Sequence, residues 1–462
     1  MSESVRFDKR LLTKYDQTGP RYTSYPTAPQ FDESFGPEAY RKAAAASNED
    51  LIPKRLSVYV HIPFCRSLCY YCACNKIITQ HQEKAAQYLG YLKREIKLQA
   101  PLFDVDRPLS QLHLGGGTPT YFDDEQLAEL IASLSEQFVL DGHKRREASI
   151  EVDPRTVSPE RIALLSELGF NRLSFGVQDF DPVVQAAVNR MQTVEQVQEL
   201  MAAARRARFR SISIDLIYGL PHQTPTSFAT TLEQVIALRP DRLAVYNYAH
   251  LPQLFRAQRL IHAEDLPSAE QKLDLLGLTI ESLTRAGYVH IGMDHFALPE
   301  DELTQAQRQG TLHRNFQGYS THADCDLIGL GMTSIGKIGN TYSQNVRELP
   351  RYYHRLENNE LPVFKGYVLS TDDRLRRDVI NKLMCHGRVD FRAIEERYPI
   401  VFRNYFAGEL MALKPMLEDG LNWKSAHYLR LLPAGELLMR NIAMVFDRYI
   451  AQSQRGTFSR TV

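Results

Sequence analysis

The chain has 462 residues, 44% of them apolar, and its 55 basic and 55 acidic side chains leave no formal net charge. That balance argues against a nucleic-acid or membrane-surface protein, either of which usually needs a basic excess, but it leaves room for a local basic pocket. No run approaches the roughly 18 apolar residues of a membrane helix and residues 1–9 hold no apolar leader core, so a soluble cytoplasmic protein is expected, of two or three domains or of one large α/β domain with appendages.

Residues 1–50 show no long periodic element. Gly19-Pro20-Arg21-Tyr22-Thr23-Ser24-Tyr25-Pro26-Thr27 is rich in turn and extended-chain formers, and the region reads as an arm that wraps over another part of the fold. From residue 56 a regular pattern begins. Strands are expected over 56–62, 110–114, 148–152, 172–177, 211–217 and 242–246. Helices are expected between them, over 82–100, 123–137, 158–168, 182–208 (one or two) and 225–238. This alternation predicts an α/β fold with a parallel sheet. Each polar motif follows a strand, which favours a partial, TIM-like barrel of six strand–helix units over an open sheet with one switch point.

Residues 251–350 look less regular. The stretch 305–317 is polar, and 327–339 is glycine-rich and expected to form a backbone wall near the site. From about residue 372 the pattern turns helical. Leu375, Val379 and Leu383 share one face, and Leu437, Asn441 and Val445 another, with a hairpin expected over 420–432. The combination resembles a winged helix, but without a dense basic stripe it reads as a packing domain. The expected division is therefore an arm (1–50), a catalytic domain (51–350) and a mostly helical C-terminal domain (351–462).

Six cysteines are too few for a disulfide framework in so long a chain, and four of them fall between Cys65 and Cys74. Cys65, Cys69 and Cys72 have the spacing C-x3-C-x2-C, which gathers three thiolates in one loop. Four would saturate an iron–sulfur cube; three leave one iron open to a small molecule. Cys74 reads either as a fourth ligand or as a redox or proton-transfer residue beside the cluster. A structural zinc site competes, but its usual second C-x2-C arm is missing. Cys325 and Cys385 read as plain buried thiols, and His61 and His313 as structural hydrogen-bonding groups.

The cysteine spacing, followed by Gly115-Gly116-Gly117-Thr118-Pro119 after the second strand, resembles the signature of the radical S-adenosylmethionine (SAM) superfamily. The likeness is closer to one family within it, the oxygen-independent coproporphyrinogen III oxidases. It is carried by the arm motif from Pro20 to Thr27, His61-Ile62-Pro63-Phe64-Cys65, Cys72-Ala73-Cys74-Asn75-Lys76, Glu151-Val152-Asp153-Pro154-Arg155, Gly176-Val177-Gln178-Asp179-Phe180, the segment from Asp215 to Pro221, and His313-Arg314-Asn315-Phe316-Gln317-Gly318-Tyr319. Ala73 stands where that family usually has glycine.

The resemblance implies that Cys65, Cys69 and Cys72 hold a [4Fe–4S] cluster and that Cys74 is needed without being a ligand. It implies two molecules of SAM. Tyr59, Gly116, Glu151 and Ile335 match the first site; Tyr71, Gly117, Thr118, Gln178, Arg190, Asp215 and Ala249 match the second. The implied reaction converts two propionates of coproporphyrinogen III to vinyl groups through a 5′-deoxyadenosyl radical, giving protoporphyrinogen IX. A low-potential donor such as a flavodoxin, a monomeric state and no nucleic-acid or membrane partner go with that reading. Read on their own, the glycines permit close backbone approach, Glu151 at a strand end can accept hydrogen bonds, Asp215 shares a face with Ser211 and Ser213, and Arg190 can grip a carboxylate. Arg21 is the arm residue expected to meet a substrate carboxylate. A haem chaperone of the same superfamily branch is disfavoured, because such relatives lack both the arm motif and the cysteine matching Cys74.

Overall fold

Period-two alternation builds the centre of the fold. In Ser211–Tyr218, the side chains of Ile212, Ile214 and Leu216 are fully buried on one face, while Ser211, Ser213 and Asp215 line a cavity on the other. The same division recurs in Arg55–Ile62 (β1), Leu109–Gly116 (β2), Glu147–Val152 (β3), Arg172–Gln178 (β4), Ser211–Tyr218 (β5) and Arg242–Asn247 (β6). These six pair side by side, all parallel. The computed structural model describes residues 5–142, 146–322, 325–450 and 458–461.

Five further helices follow the strands on the apolar face: α3 (Glu83–Gln99), α4 (Asp124–Gln137), α5 (Pro159–Glu167), α7 (Val194–Arg206) and α8 (Pro225–Leu238), with a short α6 (Pro182–Ala187) before α7. Their starts are set locally. Asp123, Ser158, Thr193 and Thr224 each accept a backbone N–H of the first turn through the side chain. Two earlier helices, α1 (Lys9–Tyr15) and α2 (Pro37–Asn48), lie in the arm.

The expected partial barrel is present, and it is open. The sheet continues through Val289–Gly292 (β7), His295–Ala297 (β8), Cys325–Leu330 (β9), Ile335–Ile338 (β10), Thr341–Asn345 (β11) and Val363–Val368 (β12), in the order β12-β11-β10-β9-β1-β2-β3-β4-β5-β6-β8-β7. β9 lies parallel to β1 on the side away from β2, a seventh parallel strand. It is tied down by Arg107, whose guanidinium pairs with Asp326 at 2.6 Å, both side chains 2% exposed.

Several expectations need correction. The arm does hold a regular element: α2, twelve residues long, starts with Pro37 in its first turn and is rich in alanine. The region 251–350 holds a 17-residue helix, α9 (Ala269–Arg285), opened by a Ser268–Gln271 capping box. The last helix, α11 (Met439–Met444), is shorter than the apolar spacing suggests, and Leu437 and Val445 lie just outside it.

The C-terminal part is built on α10 (Thr371–His386), where Leu375, Val379 and Leu383 are buried as expected, and on a three-stranded sheet that includes the expected hairpin. Its core cluster also takes in Leu11, Leu12, Tyr22 and Tyr25, so the arm packs on this part as well. β12 lies beyond residue 350 yet belongs to the twelve-stranded sheet, and we place the domain division after Val368. Among the described residues, no helix is long and apolar enough to cross a membrane.

Candidate functional site

The polar faces of the strands enclose a cavity of about 510 Å³. Its floor is a charge network: Arg172 pairs with Glu147 at 3.1 Å and with Glu302, and Arg242 pairs with Asp301 at 2.9 Å. Burial pushes the Glu147 carboxyl up, but Arg172 and Arg242 outweigh it and hold the group down at about 2. Higher up, Tyr59 stacks on His113 with ring centres 5.7 Å apart and donates its hydroxyl to His61 Nδ1 at 3.2 Å. His61 Nε2 meets the Asn75 carbonyl at 3.1 Å, and burial lowers its pKa, so the ring is neutral with its proton on Nε2.

Glu151 stands at the rim. It accepts the Gly116 N–H at 3.2 Å, and His113 Nε2 lies 3.3 Å away. Gly116 has φ of 122°, and a Cβ there would meet His61 and the Ile62 carbonyl, so glycine is required. A Cβ on Gly117 would collide with the backbone of Pro63 and Phe64; this glycine lets the second strand's turn lie against the start of the cysteine loop. Asp215 faces the same space and accepts from Ser174 at 3.1 Å. Burial, and then the nearby charge of Glu151, push its carboxyl up to about 7.

The cysteine loop follows β1 directly. Cys65 Sγ lies 3.3 Å from Thr118 Oγ1, and Arg155 and Arg190 each donate to Cys69 Sγ at 3.4 Å. Arg190 also pairs with Asp153 at 3.3 Å and donates to the Gly176 carbonyl. A Cβ on Gly176 would touch both Arg190 and Gln178, so these two side chains lie together over that glycine. A hydrogen bond from Cys74 draws the Cys72 thiol down to about 6, with Lys76 adding to the effect; burial pushes Cys65 up to about 11. Cys74 is exposed, while Cys325 and Cys385 are buried.

Three cysteines fit an iron–sulfur cube. A zinc ion needs its sulfurs all about 2.3 Å from one point, whereas each thiolate of a cube takes a different iron. Cationic and hydroxyl donors aimed at Cys69 and Cys65 suit sulfurs that carry negative charge.

Tyr71 and Ala249, far apart in sequence, are joined by Gln258, whose side-chain amide donates to the Tyr71 carbonyl at 2.9 Å and to the Ala249 carbonyl at 3.2 Å. Ile335 lines the same cavity as Glu151, together with Thr333 and Ser334. Arg21 reaches the cavity from the arm; it pairs with Asp294 and lies 5.5 Å from the Tyr246 ring centre. His313 contacts Asn381 at 3.1 Å and lies outside this cavity.

Sequence reasoning gave no role to Arg155, His113 or Arg314. Arg155 and Arg314 stand in two of the motif blocks that carry the resemblance. Arg314 is 6% exposed, lines the cavity, and has one guanidinium nitrogen with no hydrogen-bond partner.

Comparison with known proteins follows the same lines. A family model of the radical SAM superfamily matches residues 59–235, and one described as the HemN C-terminal domain matches 369–438. The chain is 50% identical over 462 residues to a Pseudomonas aeruginosa protein named oxygen-independent coproporphyrinogen III oxidase, with 100% of each covered. A Salmonella typhimurium protein of the same name is 52% identical over 464 residues, again with 100% of each covered. A solved structure, described as coproporphyrinogen III oxidase (HemN) from Escherichia coli, a radical SAM enzyme, matches with a TM-score of 0.92 at 49% identity, covering 97% of this chain and 100% of that one.

Proposed function

The chain belongs to the oxygen-independent coproporphyrinogen III oxidase family of radical SAM enzymes, and on that premise we propose how its own residues serve the oxidative decarboxylation of coproporphyrinogen III in haem biosynthesis. The family works with a [4Fe–4S] cluster and SAM. When bound, they supply the radical that removes a propionate hydrogen, after which carbon dioxide and one electron leave and a vinyl group remains.

Cys65, Cys69 and Cys72 are the cluster ligands. Arg155 and Arg190 donate to the Cys69 sulfur and the Thr118 hydroxyl lies against that of Cys65, fixing the two sulfurs in position. Tyr59, Gly116, Glu151 and Ile335 would hold a first SAM, Glu151 being placed to accept from an amine or ribose hydroxyl. Tyr71, Gly117, Thr118, Gln178, Arg190, Asp215 and Ala249 would hold a second. Cys74, exposed and hydrogen-bonded to Cys72, moves a proton rather than binding iron. Arg21 and Arg314 receive a substrate carboxylate, with Arg314 the more available because Arg21 is already paired with Asp294. The protein acts as a monomer and takes electrons from a flavodoxin-type donor.

One observation carries this reading: Glu151, in the wall of a polar cavity also lined by Asp215, Arg21 and Arg314, accepts the N–H of Gly116, in the same turn as Thr118, whose hydroxyl lies 3.3 Å from Cys65 Sγ. The test is anaerobic reconstitution with iron and sulfide, then incubation with SAM, reductant and coproporphyrinogen III. 5′-Deoxyadenosine, carbon dioxide and a divinyl product are expected. Cys65→Ser abolishes all three; turnover retained in that variant overturns the ligand assignment.

A further inference from the structure

A second cavity, of about 290 Å³, lies between the arm, the sheet and α10. It shares Thr23, Gln111, Arg314, Phe316 and Leu327 with the first, so the two chambers adjoin across these residues. The second chamber is strongly basic. Lys54, Arg314, Lys337, Arg377 and Lys382 line it, and among the described residues none of the five has an ion-pair partner. Among the described residues the single carboxylate in its wall, Asp378, is taken by Arg397 at 2.9 Å and by the Tyr398 hydroxyl at 2.8 Å. Buried guanidinium nitrogens of Arg314 and Arg377 have no hydrogen-bond partner.

Such a cluster is costly to assemble. Burial, with Arg377 and Lys54 adding, pushes Lys337 down to about 8. In a chain of zero formal charge, five cations around one cavity, without an ion-pair partner among the described residues, point to a polyanionic ligand. Resting on the reading that coproporphyrinogen III is the substrate, we propose that this chamber anchors the propionates that are not reacting, so that the macrocycle spans both cavities with Arg314 and Phe316 at its waist. The size of the first cavity agrees. Pockets for single ligands run to about 300–1,000 Å³, and 510 Å³ must seat SAM as well as the reacting ring.

The chemistry of the cations suits a substrate that reacts twice. Two different propionates must reach one radical source, so the macrocycle turns between the two decarboxylations. A different set of carboxylates then faces the chamber. Lys54, Lys337 and Lys382 are flexible point charges that accept a carboxylate from many directions, unlike the fixed fork of arginine.

The holoenzyme carrying both Lys337→Met and Arg377→Met tests this. These cations would hold the substrate equally in ground and transition state, so KM for coproporphyrinogen III should rise about tenfold or more with kcat nearly unchanged. The affinity for SAM should stay at the wild-type value. The charge-keeping pair Lys337→Arg and Arg377→Lys should restore most of the KM, which separates lost charge from lost folding. As a second probe, the wild-type holoenzyme should bind coproporphyrin III more tightly than the double Met variant does, while its tetramethyl ester should not distinguish the two. A wild-type enzyme that fails to convert coproporphyrinogen III overturns the substrate reading itself. Normal wild-type turnover with an unchanged KM in the double Met variant overturns this inference alone. Inorganic phosphate binding that depends on Lys337 and Arg377 while KM does not would likewise overturn it, assigning the chamber to a free anion.

Discussion

Glu95 lies in the middle of α3, is 0% exposed, and has no cationic partner among the described residues. Its oxygens accept from Gln99 at 2.8 Å, the Gly331 N–H at 2.7 Å, Asn345 at 2.7 Å and the Tyr352 hydroxyl at 2.6 Å. Gly331 begins the turn that carries Thr333, Ser334 and Ile335 into the cavity wall, so Glu95 positions that wall from behind. In Glu95→Ala, Gln99 and Asn345 keep other acceptors, but Gly331 N–H and Tyr352 O–H lose theirs. Two orphaned buried donors at about 1–3 kcal/mol each, plus the space left behind, give a loss of about 4 kcal/mol. Glu95→Gln can satisfy Tyr352 by rotation of its hydroxyl and orphans about one donor, a loss of about 1–3 kcal/mol. Burial raises the Glu95 pKa to about 6 from 4.5. The folded state therefore binds this proton more tightly than the unfolded chain, and stability falls as pH rises between those values, by about 2 kcal/mol. The glutamine variant lacks that fall, so its deficit against wild type should be about 2 kcal/mol smaller at pH 7 than at pH 4.5. Urea unfolding of both proteins across this range measures it, and hydrogen exchange at residues 331–335 reports the wall directly. A Glu95→Ala protein within about 1 kcal/mol of wild type, or a pH-independent difference for Glu95→Gln, would refute the reasoning.

Arg107→Ala should cost about 3–5 kcal/mol, because it leaves Asp326 buried without its cation and frees the Ser47 and Asn48 side chains and the Lys54 carbonyl that Arg107 also binds; thermal unfolding checks it, and a small shift would show that β9 is held by packing alone. Arg440 donates to the Gly19, Pro20 and Arg460 carbonyls, so Arg440→Met should loosen the arm, seen as faster limited proteolysis before residue 27 and a higher KM with SAM binding unchanged.

The strands and covering helices from residue 55 to 247 were legible because each carries its own signal: apolar alternation, a side-chain cap at the helix start, and a length typical of its type. The shared face of Ser211, Ser213 and Asp215 follows from strand periodicity alone. β9 was not legible as a seventh parallel strand. Cys325–Leu330 is buried at every position, so it shows no alternation, and its neighbour β1 lies some 270 residues earlier. The helix α2 was masked by the turn-forming residues before it. Within the site, the cysteines announce themselves by spacing. The union of Tyr71 with Ala249 depends on Gln258, a glutamine like any other in the sequence. Arg314 was hidden for the same reason: what marks it is a buried guanidinium nitrogen without a hydrogen-bond partner among the described residues, and only packing reveals that.

The polarity of the barrel interior explains why it is open. A closed barrel of this kind is filled by layers of branched apolar side chains. Here those positions are Ser149, Ser174, Ser213, Glu151 and Asp215, small or charged groups that cannot fill a core. The apolar side chains that would fill it face outward to the helices instead. Stability then has to come from the helical layer and from the floor network of Glu147, Arg172, Arg242 and Asp301, which leaves the upper interior free for ligands. The β12 edge is covered by chain rather than closed by a strand. Asp32 of the arm pairs with Gly366 on the edge strand β12 through both backbone hydrogen bonds, each 2.9 Å. Arg21 and Thr23 of the same arm reach the cavity. One segment thus protects a sheet edge and supplies a wall of the site, so a change that detaches the arm exposes both together.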